Sequence, residues 1–165
     1  MLHLFDANVL ITASNTYYPL DQIPEFWTWI EYQATNGTIK LPQEILDEVL
    51  AGTKTGDPLL EWMTASKKTL LLEENVDPAI VQQVVETGYA PDLTDDQLEE
   101  VGRDPFLIAY AMASPDRCVV TVEVSAPSKQ RQNRRVPDVC KDLGVTCYNP
   151  FQAYRSLGFS TAWKP

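Results

Sequence analysis

Four carboxylates stand where an α/β protein can do chemistry. Asp6 interrupts the apolar run Leu2-His3-Leu4-Phe5-Asp6-Ala7-Asn8-Val9-Leu10-Ile11. A carboxylate in such a run is costly unless it is paired, hydrogen-bonded or bound to a metal. Glu123 follows the apolar run Val119-Val120-Thr121-Val122, Asp104 opens the segment leading into that run, and Glu48 lies in a helix-like segment begun by Pro42. At the rim of one parallel sheet, four such acids repel one another strongly without a cation. An all-oxygen site of this kind suits magnesium or manganese, and one or two such ions activate a water and stabilise a displaced phosphate oxygen. Each acid also has a plain reading. Asp6 and Asn8 fit a helix cap or turn, and Asp104 fits an N-cap. Glu48 shares its helix with Glu44 and Asp47, which suits a solvated acidic face, and Glu123 can simply begin a surface loop.

The elements that must position these acids follow from periodicity and punctuation. Residues 2 to 5 read as a strand, with a helix after Asn8. Tyr17-Tyr18-Pro19 and Pro24 mark a loop before a helix carrying Phe26, Trp27, Ile30 and Ala34, closed by Asn36-Gly37. Ile39 to Leu41 reads as a short extended piece, and Pro42 to Gly52 as a helix. Asp57-Pro58 and Asp77-Pro78 each open another helix, with Thr69 to Leu72 as a short strand or extended connector between them. Residues Tyr89 to Gly102 are acidic and read as a solvated loop with a short helix. Asp104-Pro105 starts a helix through Ala113. Cys118 to Val122 is the clearest buried strand. Pro137 to Leu143 reads as a helix, Val145 to Tyr148 as a strand, and Asn149 as the cap of a last helix. Strands alternating with helices predict a three-layer α/β/α architecture around a central, mostly parallel sheet.

The 165 residues suit one domain, 1–165, and the 44% hydrophobic content suffices for a core. No stretch is long enough to span a membrane, and the N-terminus does not read as a secretory signal. Cys118, Cys140 and Cys147 form no even set, so reduced thiols in the cytoplasm are expected. One histidine among scattered cysteines argues against zinc, and His3 reads as a strand-packing residue. A net charge of −10 argues against a strongly electrostatic, non-specific nucleic-acid binder. It leaves room for an acidic metal site and a local basic patch.

The ordered set of motifs resembles PIN-domain nucleases. Leu4-Phe5-Asp6-Ala7-Asn8 resembles their opening, Glu48-Val49-Leu50-Ala51-Gly52 their second motif, Asp104-Pro105-Phe106-Leu107-Ile108-Ala109 their third, and Val119-Val120-Thr121-Val122-Glu123 their fourth. Tyr17-Tyr18-Pro19, Phe26-Trp27-Thr28-Trp29 and Val136-Pro137-Asp138-Val139-Cys140 resemble a prokaryotic branch of PIN-like proteins often regarded as toxins of toxin–antitoxin pairs. The resemblance implies a PIN-like fold and a metal-dependent ribonuclease. In it Asp6, Glu48, Asp104 and Glu123 hold one or two Mg2+ or Mn2+, while Asn8 and Thr121 orient the acids. Glu44, one turn before Glu48, would assist or replace it. Many relatives carry aspartate where this chain has Glu123, which is one methylene longer and reaches a metal differently.

A nuclease also needs phosphate contacts. Ser128 to Arg135 clusters Lys129, Arg131, Arg134 and Arg135 just after Glu123, placing positive charge where an RNA backbone would lie; a solvated loop is the competing reading. Arg103 would contact phosphate or pair with an acid. Tyr17 and Tyr18 would stack on unpaired bases or pack. Trp27, Trp29 and Trp62 would pack between helices or form a dimer or antitoxin surface. Expected partners are RNA, an antitoxin and a second copy of the chain. The alternative reading is a catalytically inert PIN-like RNA-binding or regulatory protein. A third, an aspartyl-phosphate enzyme using Asp6, is weakened by Asn8, where phosphatases of the haloacid dehalogenase type carry a second aspartate.

Overall fold

The computed structural model describes residues 1–165. Four parallel strands form one sheet in the order β2-β1-β3-β4, with β1 Leu2–Phe5, β2 Ile39–Lys40, β3 Arg117–Val120 and β4 Thr146–Tyr148. The register places Phe5 beside Val120 and Val120 beside Tyr148, so β1, β3 and β4 end at one rim. The chain leaves β1 toward β2, then crosses back to β3 and continues outward to β4. Right-handed crossovers put the helices of these opposite excursions on opposite faces, giving three layers. The winding reverses between β1 and β3, and in open α/β sheets the crevice beyond such a reversal is where ligands bind. Asp6 and Thr121 are the first residues past those two strand ends.

Nine α-helices surround the sheet: α1 Ala7–Thr12, α2 Pro24–Thr35, α3 Gln43–Gly52, α4 Pro58–Leu70, α5 Pro78–Gln83, α6 Asp95–Val101, α7 Asp104–Met112, α8 Val136–Asp142 and α9 Pro150–Ser156. Several begin on the chemistry expected of caps. Asp57 and Asp77 each accept an amide hydrogen bond at helix starts with Pro next, and Thr94 and Asn149 form capping boxes. One continuous core of 36 buried residues joins both faces. Phe5, Phe26, Trp29, Tyr154 and Phe159 meet as an aromatic cluster under α2 and α9. Burying a side chain such as the fully enclosed Phe26 contributes roughly 1.5–3 kcal/mol. The central helix α7 is buried on both sides through Leu107, Ile108, Ala109, Tyr110 and Ala111.

Three boundaries differ from the sequence expectation. Thr69 and Leu70 continue α4, and only Leu71 is extended, bridging Leu41. The strand expected through Val122 stops at Val120, because the Val122 amide donates instead to the Asn8 side-chain carbonyl at 3.1 Å. The helix begun at Pro78 continues as a wider π-helical turn, Val84–Tyr89, so Tyr89 is a buried helix-end residue and not part of the acidic loop. A second π-helical turn, Ala13–Tyr17, extends α1. His3 packs as expected, 4% exposed and stacked over Tyr148. Trp27 and Trp29 are buried, and Trp27 meets Trp62 edge to face at 4.7 Å. The Trp group is therefore helix packing. No helix is long and apolar enough to cross a membrane.

Candidate active site

Asp6 occupies the N-cap position of α1 yet makes no capping hydrogen bond, and Asp104 at the first position of α7 likewise caps nothing. Asp6 sits at the cap position where Asp57 and Asp77 spend their carboxylates on backbone amides. The cap reading therefore fails for the two acids that matter most. Asp6 is 4% exposed. Its Oδ2 accepts hydrogen bonds from Asn8 Nδ2 at 2.6 Å and Thr121 Oγ1 at 2.7 Å. Asn8 is fixed in turn by accepting the Val122 amide at 3.1 Å, and the Glu123 amide donates to Thr121 Oγ1 at 3.2 Å. One network thus ties the end of β1 to the turn after β3. Asn8 and Thr121 together hold one oxygen of Asp6.

The electrostatics bring all four expected acids into one field. Burial, with the charges of Glu48 and Glu123 adding, pushes Asp6 up to about 6, while the Thr121 hydroxyl and the Ala7 amide pull the other way. Burial and then the charges of Asp6, Glu123 and Glu48 push Asp104 up to about 8, with Arg135 opposing. Glu48 is raised by burial, and the guanidinium of Arg103 offsets part of that. Arg103 also lies over the Phe106 ring, 5.8 Å from its centroid. Glu123 is contacted at both oxygens: its Oε2 accepts the Val136 amide at 2.8 Å and its Oε1 lies 3.7 Å from Arg135.

Tyr89 is the residue the sequence reading missed. It is 7% exposed and its hydroxyl has no hydrogen-bond partner. Burial and the charges of Asp104, Glu123, Cys140 and Asp6 hold its phenol well above the usual range, which places the hydroxyl beside the acids. Gly88 allows this approach, since a Cβ there would meet Val139 Cγ1 at 2.7 Å. The only sequence signal was the aromatic after Thr87-Gly88, submerged in the acidic run that follows it.

Two expected groups resolve differently. Glu44 does not act on Asp6 or Asp104: its carboxylate lies by the Tyr110 hydroxyl, a phenol raised by burial and then by the Glu44 charge, and one of its oxygens is buried without a partner. The basic cluster divides. Arg131 is committed to Asp92 at 2.7 Å and to Gln97 at 3.1 Å. Arg134 is 20% exposed and bonds Gly88 O at 2.6 Å and Asp142. Both are therefore structural ties for the loop. Lys129, Arg134 and Arg135 all line a polar cavity of about 220 Å³ that Asp104 and Glu123 also line, and of the three Arg134 is held by its loop partners. Tyr18 stacks on Phe26 at 4.3 Å and is packing, whereas Tyr17 is 50% exposed.

No three of the acids stand close enough to make a ready-made cage for a metal ion. Magnesium does not need one, because it keeps several waters and takes one or two carboxylates together with substrate phosphate. The all-oxygen donor set, the burial and the mutual repulsion that raise Asp6 and Asp104, and the partnerless Tyr89 hydroxyl fit a hydrated hard cation.

The fold and rim thus define a parallel α/β protein with an acidic site at its topological switch point. By sequence the chain belongs to the family described as domain of unknown function DUF4411, whose model matches residues 3–161. No curated protein and no solved structure matches it.

Proposed function

We propose that the chain is a Mg2+- or Mn2+-dependent endoribonuclease. The observation that carries this reading is that carboxylates from four separate elements share one electrostatic field around the β1/β3 switch point, with Asp6 and Asp104 making no cap hydrogen bond and raised first by burial and then by the neighbouring acids. The bound ion would supply positive charge for an attacking water and for the leaving phosphate oxygen, and Asp6, Glu48 and Asp104 would hold it. Thr121 and Asn8 keep Asp6 in one orientation through its Oδ2. Glu123, tied to the Val136 amide, reaches the site from the far wall and acts through water. Lys129 and Arg135 hold the phosphate backbone in the polar cavity. The Tyr89 hydroxyl donates to a phosphate oxygen as the strand enters. A polar group that is buried without a partner costs about 1–3 kcal/mol, which such a bond recovers.

The same reading, through the resemblance to PIN-like toxins, makes the chain the toxin of a type II toxin–antitoxin pair, with an antitoxin as partner. Three free cysteines, two of them buried, suit the reducing cytoplasm in which such a pair works.

The test is cleavage of single-stranded RNA by purified protein in manganese, in magnesium and in EDTA, beside an Asp6→Asn control. Metal-dependent cleavage lost in the variant is the expected result. Cleavage that persists in EDTA or in Asp6→Asn contradicts the reading.

A further inference from the structure

The turn that carries Thr121 and Glu123 borders a second cavity. Val122, between those two residues, and Val9, next to Asn8, both line an enclosure of about 220 Å³ on the α1 and α9 side. Tyr17, Phe151 and Tyr154 supply aromatic walls. Tyr17 and Phe151 meet edge to face, with centroids 5.0 Å apart and planes at 87°. They are 50% and 36% exposed, while the neighbouring aromatics Tyr18, Phe26 and Tyr154 are packed against one another. Thr12 and Asn149 add polar atoms. Asn149 spends its side-chain oxygen on capping α9, which leaves its amide nitrogen as a donor.

We infer that this cavity is a subsite for an unpaired nucleobase of the strand whose phosphate lies at the acidic site. The inference rests on the nuclease reading and deepens it by naming the substrate class as single-stranded polynucleotide. The acidic row runs between two unlike cavities. One is polar and carries Lys129 and Arg135. The other is aromatic and carries two polar contacts. A nucleotide has the same two halves, a phosphate and a flat base with hydrogen-bonding edges. A base within a duplex is stacked on its neighbours and cannot enter a side cavity unless it is extruded, so the site selects unpaired strands. Stacking of a base on an aromatic side chain is tolerant of sequence, which predicts weak sequence preference at this position.

The experiment measures fluorescence anisotropy of a short, labelled, mixed-sequence single-stranded RNA in calcium, where binding is read without cleavage. The same strand annealed to its complement is the comparison. Wild type, Tyr17→Ala, Tyr17→Phe and Phe151→Leu are titrated, and each is run by sedimentation. Tyr17→Ala should weaken single-strand affinity about tenfold or more and leave duplex affinity unchanged, and Tyr17→Phe should restore the loss. Equal affinity of wild type and Tyr17→Ala for the single strand overturns the subsite and leaves the nuclease reading standing. A wild-type dimer that Tyr17→Ala dissociates without changing strand affinity makes the cavity an interface between copies and also overturns it. Loss of base-dependent binding in Tyr17→Ala, in a protein that cleaves nothing in manganese, supports the subsite and removes the catalytic reading alone.

Discussion

Asp6 and Asp138 are both buried aspartates, 4% and 8% exposed, beside the same turn. Their chemistry is opposite. Asp138 is bonded at both oxygens, Oδ1 by the Ser125 hydroxyl and Oδ2 by the Ala126 amide. Burial pushes it up, but those donors and Arg134 more than offset burial and hold its carboxyl below the usual range. Asp6 receives both its side-chain donors on one oxygen, and burial, with the charges of Glu48 and Glu123 adding, pushes it up to about 6. Asp138 is completed by its own chain and fastens the 125–138 loop. In the proposed function, Asp6 is completed by a bound cation. Burial alone does not mark a functional acid; burial with an incomplete set of donors does.

The largest effect that would sharpen this contrast is on activity. Asp6→Asn and Asp104→Asn should each lower RNA cleavage by about a thousandfold or more, with melting temperatures equal to or above wild type, because each removes repulsion. Cleavage retained in either variant takes that residue out of the site. Asp138→Ala should do the reverse. It removes the hydrogen bonds from the Ser125 hydroxyl and the Ala126 amide, at about 0.5–1.5 kcal/mol each, and the melting temperature should fall by roughly 2–10 °C while residual cleavage still depends on metal.

The two raised acids also set a pH dependence. Asp6 and Asp104 bind protons in the folded protein at pH values where the unfolded chain has released them, so their contribution to stability falls as pH rises. The window runs from near 3.8 upward, through about 6 for Asp6 and about 8 for Asp104. In EDTA, differential scanning fluorimetry should show the melting temperature dropping across that range, and manganese should restore it at the alkaline end. A flat profile for wild type, or the same drop in Asp104→Asn, would break the contrast. The smallest effect separates the arginines. Arg135→Gln should weaken RNA binding and lower its salt slope by about one. Arg134→Gln should chiefly lower thermal stability, because its partners are Gly88 and Asp142.

Much of the fold was legible from the sequence. Alternation of apolar runs and Asp-Pro helix starts located the strands and most helices, and the parallel sheet followed. Asp6, Asp104 and Glu123 could be singled out because each lies at an element end, and Glu48 because it lies within the helix that Pro42 begins. The rest depended on three-dimensional facts that periodicity does not carry. Arg131, Arg134 and Arg135 read alike in sequence, yet folding commits the first two to loop partners. Glu44 and Glu48 are one turn apart, yet only Glu48 shares the field of Asp6 and Asp104. Tyr89 could not be seen because its role depends on a π-helical turn and on the close packing of Gly88 against Val139.

Calorimetric titration of manganese into wild type and Asp104→Asn near neutral pH, in buffers of different ionisation enthalpy, tests the central claim most directly. An acidic site completed by a cation predicts binding to wild type with release of protons, since Asp104 is largely protonated below about 8. It also predicts loss of both signals in Asp104→Asn. A folded wild-type protein that takes up no manganese, or binds it equally well without the Asp104 carboxylate, would contradict it.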